Sequence, residues 1–213
     1  MLYTGENLRY KTVLDIDQFT IEEHQITVLL GPSGGGKTTF LTLLNKMISP
    51  TEGTLMFHDK PIDEFDSVQL RKNVVLLQQT PYLFKETVLD NFKIIAKYHD
   101  LKVDKDKIQQ LLKDVDLNKK LDDHIKNFSG GEKQRLALAR LLYCHADVIL
   151  LDEPSSSLDE KTEAFVIKKI VEYVKNNNKS LIMITHSTKI AKTYAEKIIK
   201  IENGQIKEVI DNE

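Results

Sequence analysis

Residues 31–40 read GPSGGGKTTF, three glycines in a row before a lysine and two threonines, directly after the apolar run Ile26-Thr27-Val28-Leu29-Leu30. Glycine loses more conformational freedom on ordering than any other residue, so three together are costly in a helix or strand. What they offer is bare backbone. Without Cβ atoms, successive N–H groups turn inward into an anion-binding nest, and a helix starting there adds the positive end of its dipole. Gly31-Pro32-Ser33-Gly34-Gly35-Gly36-Lys37-Thr38 fits G-x-x-x-x-G-K-[ST], the Walker A pattern, and Thr39 continues the turn. In that pattern Lys37 reaches the β- and γ-phosphates and the Thr38 hydroxyl ligates Mg²⁺. GTPases, kinases and motor ATPases share the loop, so it names neither nucleotide nor reaction.

A strand feeding a phosphate loop needs a sheet around it. The runs 25–30, 73–78, 147–151 and 180–185 are short, aliphatic and rich in β-branched residues, as buried strands are. Helical spacing follows in Thr38–Met47, in 132–143 and in 159–175, the last closed by Asn176-Asn177-Asn178. This alternation predicts an α/β fold around a largely parallel sheet. The first 25 residues and 53–58 look like strands without intervening helices, which predicts an antiparallel appendage. Residues 85–128, rich in lysine and aspartate with helical spacing near 87–99 and 104–115, predict a helical subdomain inserted in a single domain spanning 1–213.

In a parallel sheet the carboxyl ends of all four strands share one edge, where ligands of open α/β sheets bind. Those ends deliver Gly31, Gln79, Asp152-Glu153 and His186. Asp147-Val148-Ile149-Leu150-Leu151-Asp152-Glu153 has the Walker B form. Asp152 is suited to anchor Mg²⁺ through water, and Glu153 to polarise the water that attacks the γ-phosphate. Further along, Ser129 and Glu132 in Asn127-Phe128-Ser129-Gly130-Gly131-Glu132 form the capping box of a helix start. Such a start is also an anion site, one more than a single nucleotide needs. A second copy of the chain, lending its Ser129 end to the first copy's Walker A loop, resolves the surplus.

With six motifs in order, the sequence resembles the nucleotide-binding subunits of ABC transporters over nearly its whole length. FSGGE at 128–132 resembles their signature, Gln79 their Q-loop, Ser156-Ser157-Leu158-Asp159 their D-loop and His186 their switch histidine. Tyr10 sits where they carry an aromatic residue that stacks on adenine; it is equally placed to be a core strand tyrosine. The resemblance implies an ABC ATPase fold, with a RecA-like core sheet, an antiparallel β subdomain and an α-helical subdomain at about 85–135. It also implies a head-to-tail dimer around two Mg-ATP, each lying between Walker A of one copy and Ser129, Gly130, Gly131 and Glu132 of the other. Gln79 would then sense Mg²⁺ and the lytic water, His186 would hold the γ-phosphate, and Asp159 would cross the interface. Two features depart from the family: Glu132 replaces the more usual glutamine, and Glu23-His24-Gln25 occupies a turn that commonly holds glycine. Ser157 with Glu160 reads as another capping box, which weakens the D-loop match.

Composition narrows the partners. With 30 basic and 32 acidic residues the net charge is −2, which argues against wholesale binding to nucleic acid or anionic lipid. One cysteine, Cys144, excludes an intramolecular disulfide and fits a reducing compartment; with His145 it lacks the spaced partners of a metal site. The amino terminus is too polar for a signal peptide, and no apolar run approaches the roughly 20 residues that span a bilayer. The expectation is a cytoplasmic ATPase held on the inner face of the membrane by transmembrane permease subunits. Tyr82, Leu83 and Phe84, after the Q-loop, either form the groove for a permease helix or fill the local core. Neither the transported substance nor its direction is encoded, and the second ATPase subunit is the same chain or a related one. Two other readings stand beside this one. A non-transport ABC ATPase would share every motif. A GTPase would need N-K-x-D, which Asn118-Lys119-Lys120-Leu121-Asp122 misses by one residue.

Overall fold

The computed structural model describes residues 1–84 and 86–212. In chain order, the strands β1 (Tyr3–Tyr10), β2 (Leu14–Ile21) and β3 (Ile26–Leu30) lead into helix α1 (Lys37–Leu44). Next come β4 (Glu52–Phe57), β5 (Lys60–Pro61), α2 (Ser67–Asn73) and β6 (Val74–Leu77). Three helices follow without a strand: α3 (Val88–Tyr98), α4 (Lys105–Asp114) and α5 (Gly130–Tyr143). The chain continues through β7 (Val148–Asp152), α6 (Glu160–Asn176), β8 (Ser180–Ile184), α7 (Thr188–Tyr194), β9 (Lys197–Glu202) and β10 (Gln205–Asp211).

Two sheets result. β2-β1-β4-β5 is antiparallel throughout, and β10-β9-β3-β8-β7-β6 is parallel except at the β9–β10 hairpin. The antiparallel appendage and the four parallel strands thus lie where the sequence puts them. The parallel strands read as unbroken apolar runs because both faces are covered. In β7, Ile149 and Leu151 join one core with Phe92, Leu112 and Ile167, while Val148 and Leu150 join another with Phe40, Leu41 and Tyr3. Leu181 and Met183 of β8 alternate with Ile182 and Ile184 in the same way. With both faces sealed, Leu150→Ala would cost about 2–5 kcal/mol.

The inserted helices are started by side chains. Thr87 and Asp90 form a capping box for α3, and Asp104 caps α4. The predicted subdomain range opens on residue 85, outside the described residues; α3 and α4 fall within one or two residues of the helical spacing. Asn91, fully buried in α3, fixes the segment ahead of its own helix. Its side chain accepts from Phe84 N–H at 3.0 Å and donates to the Phe84 and Thr87 carbonyls.

Several expectations change. β7 takes in Asp152 as its last residue, so that carboxylate is held by the sheet and not by the turn after it. The α6 cap is Asp159, not Ser157: Asp159 accepts from Lys161 and Thr162 N–H, so the Ser157–Glu160 capping box does not form. In the Glu23-His24-Gln25 turn, His24 takes the left-handed conformation (φ 57°) that glycine favours, steadied by its N–H to Ser180 Oγ at 2.8 Å. The strands β9 and β10 carry no prediction from the sequence. Their signal was the pair Asn203-Gly204, both at positive φ, as in the tight turns that match hairpin twist.

Candidate functional site

The apolar run of β3 ends at Gly31 because the neighbouring strand leaves no room for a side chain. Gly31 has φ 143°, and a Cβ there would lie 2.0 Å from the Ile201 carbonyl oxygen of β9. The loop folds on itself through Gly35 N–H to the Pro32 carbonyl at 3.1 Å. The β9–β10 turn then grips it from outside, Gly204 N–H donating to the Gly35 carbonyl at 3.0 Å. Gly36 caps α1 with φ 100° and contributes no side-chain hydrogen bond. The first amides of α1 are therefore not claimed by a capping side chain.

This loop forms the floor of a cleft of about 370 Å³ lined by residues 33–39, Val13, Gln79 and Glu153. Lys37 is buried there, its ammonium donating to the Gly31 and Pro32 carbonyls at 2.9 and 2.8 Å. Burial lowers its pKa, and the nearby charges of Glu153 and Asp152 work the other way. Asp152 is only 4% exposed, and that burial raises its carboxyl pKa, opposed by a hydrogen bond from Thr38. A buried carboxylate beside a threonine hydroxyl is a hard oxygen pair without a cation of its own. It fits Mg²⁺, which takes one or two carboxylates and completes its shell from phosphate and water. Among the described residues no cluster of three or more His, Cys, Asp or Glu side chains forms a self-sufficient metal site.

Glu153 follows Asp152 with φ 47°, a conformation that costs a bulky residue about 1–3 kcal/mol. Its N–H bonds the Ile184 carbonyl at 3.2 Å, which holds the turn. The turn aims the carboxylate into the cleft, where both oxygens are engaged. Gln79 Nε2 donates to Oε2 at 2.7 Å, and His186 Nε2 lies 2.8 Å from Oε1. A carboxylate only accepts, so Nε2 is the protonated imidazole nitrogen in this pair. Three strand ends, β6, β7 and β8, thus converge on one side chain.

Other predicted residues lie elsewhere. Ser129 caps α5, its Oγ accepting from Glu132 N–H at 3.2 Å while Glu132 Oε2 accepts from Ser129 N–H at 2.8 Å. None of Ser129, Gly130, Gly131 and Glu132 lines the cleft of its own chain. Gly131 packs on the D-loop, where a Cβ would come 3.0 Å from the Ser157 carbonyl oxygen, whereas at Gly130 it would meet no atom within 4 Å. Asp159 is held by its own cap and by the Thr162 hydroxyl at 2.7 Å. Tyr10 ends β1 half-buried against the core, with the Lys11 ammonium 5.1 Å from its ring centre; Val13, absent from the sequence prediction, reaches the cleft instead. Cys144 is buried at the end of α5, its thiol pushed up to about 12 by burial, consistent with packing and not chemistry.

A glycine-rich loop between a buried strand and a helix, facing a strand-end carboxylate pair at the same sheet edge, defines a P-loop nucleoside-triphosphatase. Similarity to known proteins narrows that class. The sequence model of the ABC transporter family matches residues 14–156. A putative hemin import ATP-binding protein, HrtA of Staphylococcus aureus, is 32% identical over 211 residues, covering 95% of this chain and 94% of that protein. A multidrug resistance-like ATP-binding protein, MdlA of Buchnera aphidicola, is 33% identical over 93% of this chain, which spans only 35% of that protein. The solved structure of cbiO1 from Clostridium perfringens, part of the transporter complex cbiONQ, superposes with TM-score 0.84 at 26% identity. That match covers 99% of this chain and 88% of cbiO1. The chain belongs to the ABC transporter family, as an ATP-binding subunit whose ATP hydrolysis powers transport.

Proposed function

We propose that two copies of this chain, or one copy and a related chain, close head to tail around two molecules of ATP. Each nucleotide then lies between the Walker A loop of one copy and the Ser129 end of α5 of the other. The observation that carries this reading is the position of the signature: a helix amino end with open space at Gly130, outside the cleft that its own chain builds. Ser129 Oγ accepts the Glu132 N–H in its cap, and its O–H can turn to donate to a partner's γ-phosphate. The Gly130 and Gly131 amides sit at the positive end of the same helix.

Within each site, the amides at the open start of α1, Lys37 to Thr39, cradle the phosphates and the Lys37 ammonium turns from the loop carbonyls to the β- and γ-oxygens. Thr38, Gln79 and, through water, Asp152 would hold Mg²⁺, which would supply positive charge to offset that of the phosphates. Glu153 accepts a proton from the water that attacks the γ-phosphorus. As that P–O bond forms, the bond to the β–γ bridging oxygen breaks, leaving ADP and phosphate. His186 keeps Glu153 oriented and lies within reach of the γ-phosphate, while Val13, which lines the cleft where Tyr10 does not, is the apolar side chain placed to meet the base. Gln79, bound to Glu153 at one end, carries the state of the site toward residues 80–84.

Those residues support a membrane partner. Tyr82 is 74% exposed and meets Phe84 edge-to-face at 5.5 Å, while Arg140 lies under Phe84 and donates to the Tyr82 carbonyl. Beside them runs a groove of about 320 Å³ between the sheet and the helical layer, lined by Arg71, Leu77, Pro81, Tyr82 and Tyr98 among others. An amphipathic helix of a transmembrane permease suits it. Among the described residues no helix is long and apolar enough to cross a membrane, so substrate passage falls to that partner.

The test is the oligomeric state of the Glu153→Gln chain. With ATP and Mg²⁺ it should sediment as a dimer, with ADP as a monomer, and Lys37→Ala in the same background should prevent association. A chain that stays monomeric with ATP at every concentration would falsify the shared-nucleotide reading.

A further inference from the structure

The last residue of the signature is acidic. In the head-to-tail dimer, on which this inference rests, Glu132 stands beside the triphosphate held by the partner copy. A bare carboxylate there would oppose the anion that the α5 amino end has to attract. Neither of its oxygens is bare. Oε2 takes the Ser129 N–H, and Oε1 lies 2.7 Å from Lys119 Nζ.

Lys119 comes from the segment between α4 and α5, far enough along the chain to be an independent element. Its backbone is anchored through its N–H to the Leu117 carbonyl at 3.0 Å. Its ammonium also lies 4.7 Å from the ring centre of Phe128, the residue just before the cap. The two side chains are 26% and 23% exposed, so this is not one of the fully solvated pairs whose contribution is close to zero. The Lys119 ammonium, with the Ser129 N–H behind it, holds the Glu132 carboxyl below the usual carboxylate range. Glu132 is therefore ionised at pH 7, with the Lys119 ammonium as its counter-charge.

We propose that Lys119 is a positioning residue of the signature. It cancels the charge of Glu132 and keeps that carboxylate turned back onto Ser129, so that the Ser129 hydroxyl and the glycine amides meet the γ-phosphate without an opposing negative charge. Lys119 does not line the cleft of its own chain and acts through Glu132. The sequence placed it only within a failed N-K-x-D match.

The experiment uses the full chain in the Glu153→Gln background with Mg²⁺, and reads the ATP concentration that gives half-maximal dimer by light scattering. Lys119→Met should raise that concentration by about tenfold, the effect of one uncompensated charge near the phosphates. Lys119→Arg should restore it to within about twofold, since charge and donor are kept. The decisive variant is Lys119→Met with Glu132→Gln, in which no charge remains to cancel; its midpoint should return to within about threefold of the parent. Affinity of the monomer for a fluorescent ATP analogue, measured below the dimerisation range, should be the same in all four chains and certifies that they fold. An unchanged midpoint in Lys119→Met overturns the inference. So does a loss that persists when Glu132 is also replaced, because Lys119 would then act by packing. A parent that never dimerises overturns the head-to-tail reading itself, and this inference with it.

Discussion

Two helices in this molecule begin at glycines and face phosphate in the proposed dimer, yet they are built in opposite ways. α1 starts at Gly36 in a left-handed conformation, with no side chain over its first amides. α5 starts at Ser129, and Ser129 and Glu132 satisfy each other's amides. A helix whose end is left open depends on its surroundings, and α1 has them: Ile201 and Gly204 of the β9–β10 hairpin press on its loop. A helix that closes its own end depends less on its neighbours, here the D-loop and Lys119, and still offers one hydroxyl and two amides. The first design suits a site that holds a ligand. The second suits a surface that meets one already held elsewhere.

The strongest test of that contrast is chemical. Glu153→Gln keeps the size of the side chain at the α1 site but removes the base and one of its two acceptor oxygens; turnover should fall about 10²–10⁴-fold while ATP binding persists, as measured by steady-state phosphate release and by equilibrium binding. Unimpaired hydrolysis would take Glu153 out of the reaction. Lys37→Ala should weaken ATP binding to the monomer by about 10–150-fold, the worth of a charged hydrogen-bonding group, whereas Ser129→Ala should leave monomer affinity as it was and lower only turnover and dimerisation. Equal losses from both would mean that the two helix ends face the same nucleotide in one chain.

Smaller effects sharpen the comparison. Asp152 has its carboxyl pKa raised above the unfolded value by burial, so its ionised form destabilises the fold: that cost is absent at low pH and sets in as pH rises through the folded pKa. Asp152→Asn should therefore raise the stability at pH 7 by about 1 kcal/mol, or roughly 2–4 °C in Tm, while Mg²⁺-dependent turnover is lost. Gly130→Ala removes a helix glycine with no neighbour in the way, and should gain about 0.5–1 kcal/mol in a denaturant melt. The same change should reduce turnover, since in the proposed dimer that open space faces the partner's nucleotide.

The site was legible where chemistry forces a fixed spacing. Walker A, the strand-end carboxylates, Gln79 and His186 all lie at sheet edges, where chain order fixes position, and the last three meet at Glu153 as their strand ends require. What stayed hidden was set by neighbours distant in sequence. That Gly31 must be glycine depends on Ile201, and that Val13 rather than Tyr10 lines the cleft depends on how a hairpin lies over the loop. The cap of α6 was misplaced by two residues because Ser157 and Asp159 both suit a helix start; in the fold it is Asp159 that takes the Lys161 and Thr162 amides. The β9–β10 hairpin went unread because β9 begins and ends in charge and β10 mixes polar and charged residues among its apolar ones, leaving Asn203-Gly204 as the lone sign.

That hairpin has a bearing on the order of events during synthesis. The bond from Gly204 to Gly35 joins residues that leave the ribosome at nearly opposite times, and contacts of such separation form late. The loop therefore waits for β9 and β10 before it can take its shape. A nascent chain halted ahead of residue 197 would carry every motif from Walker A to His186 and still have no settled seat for a nucleotide.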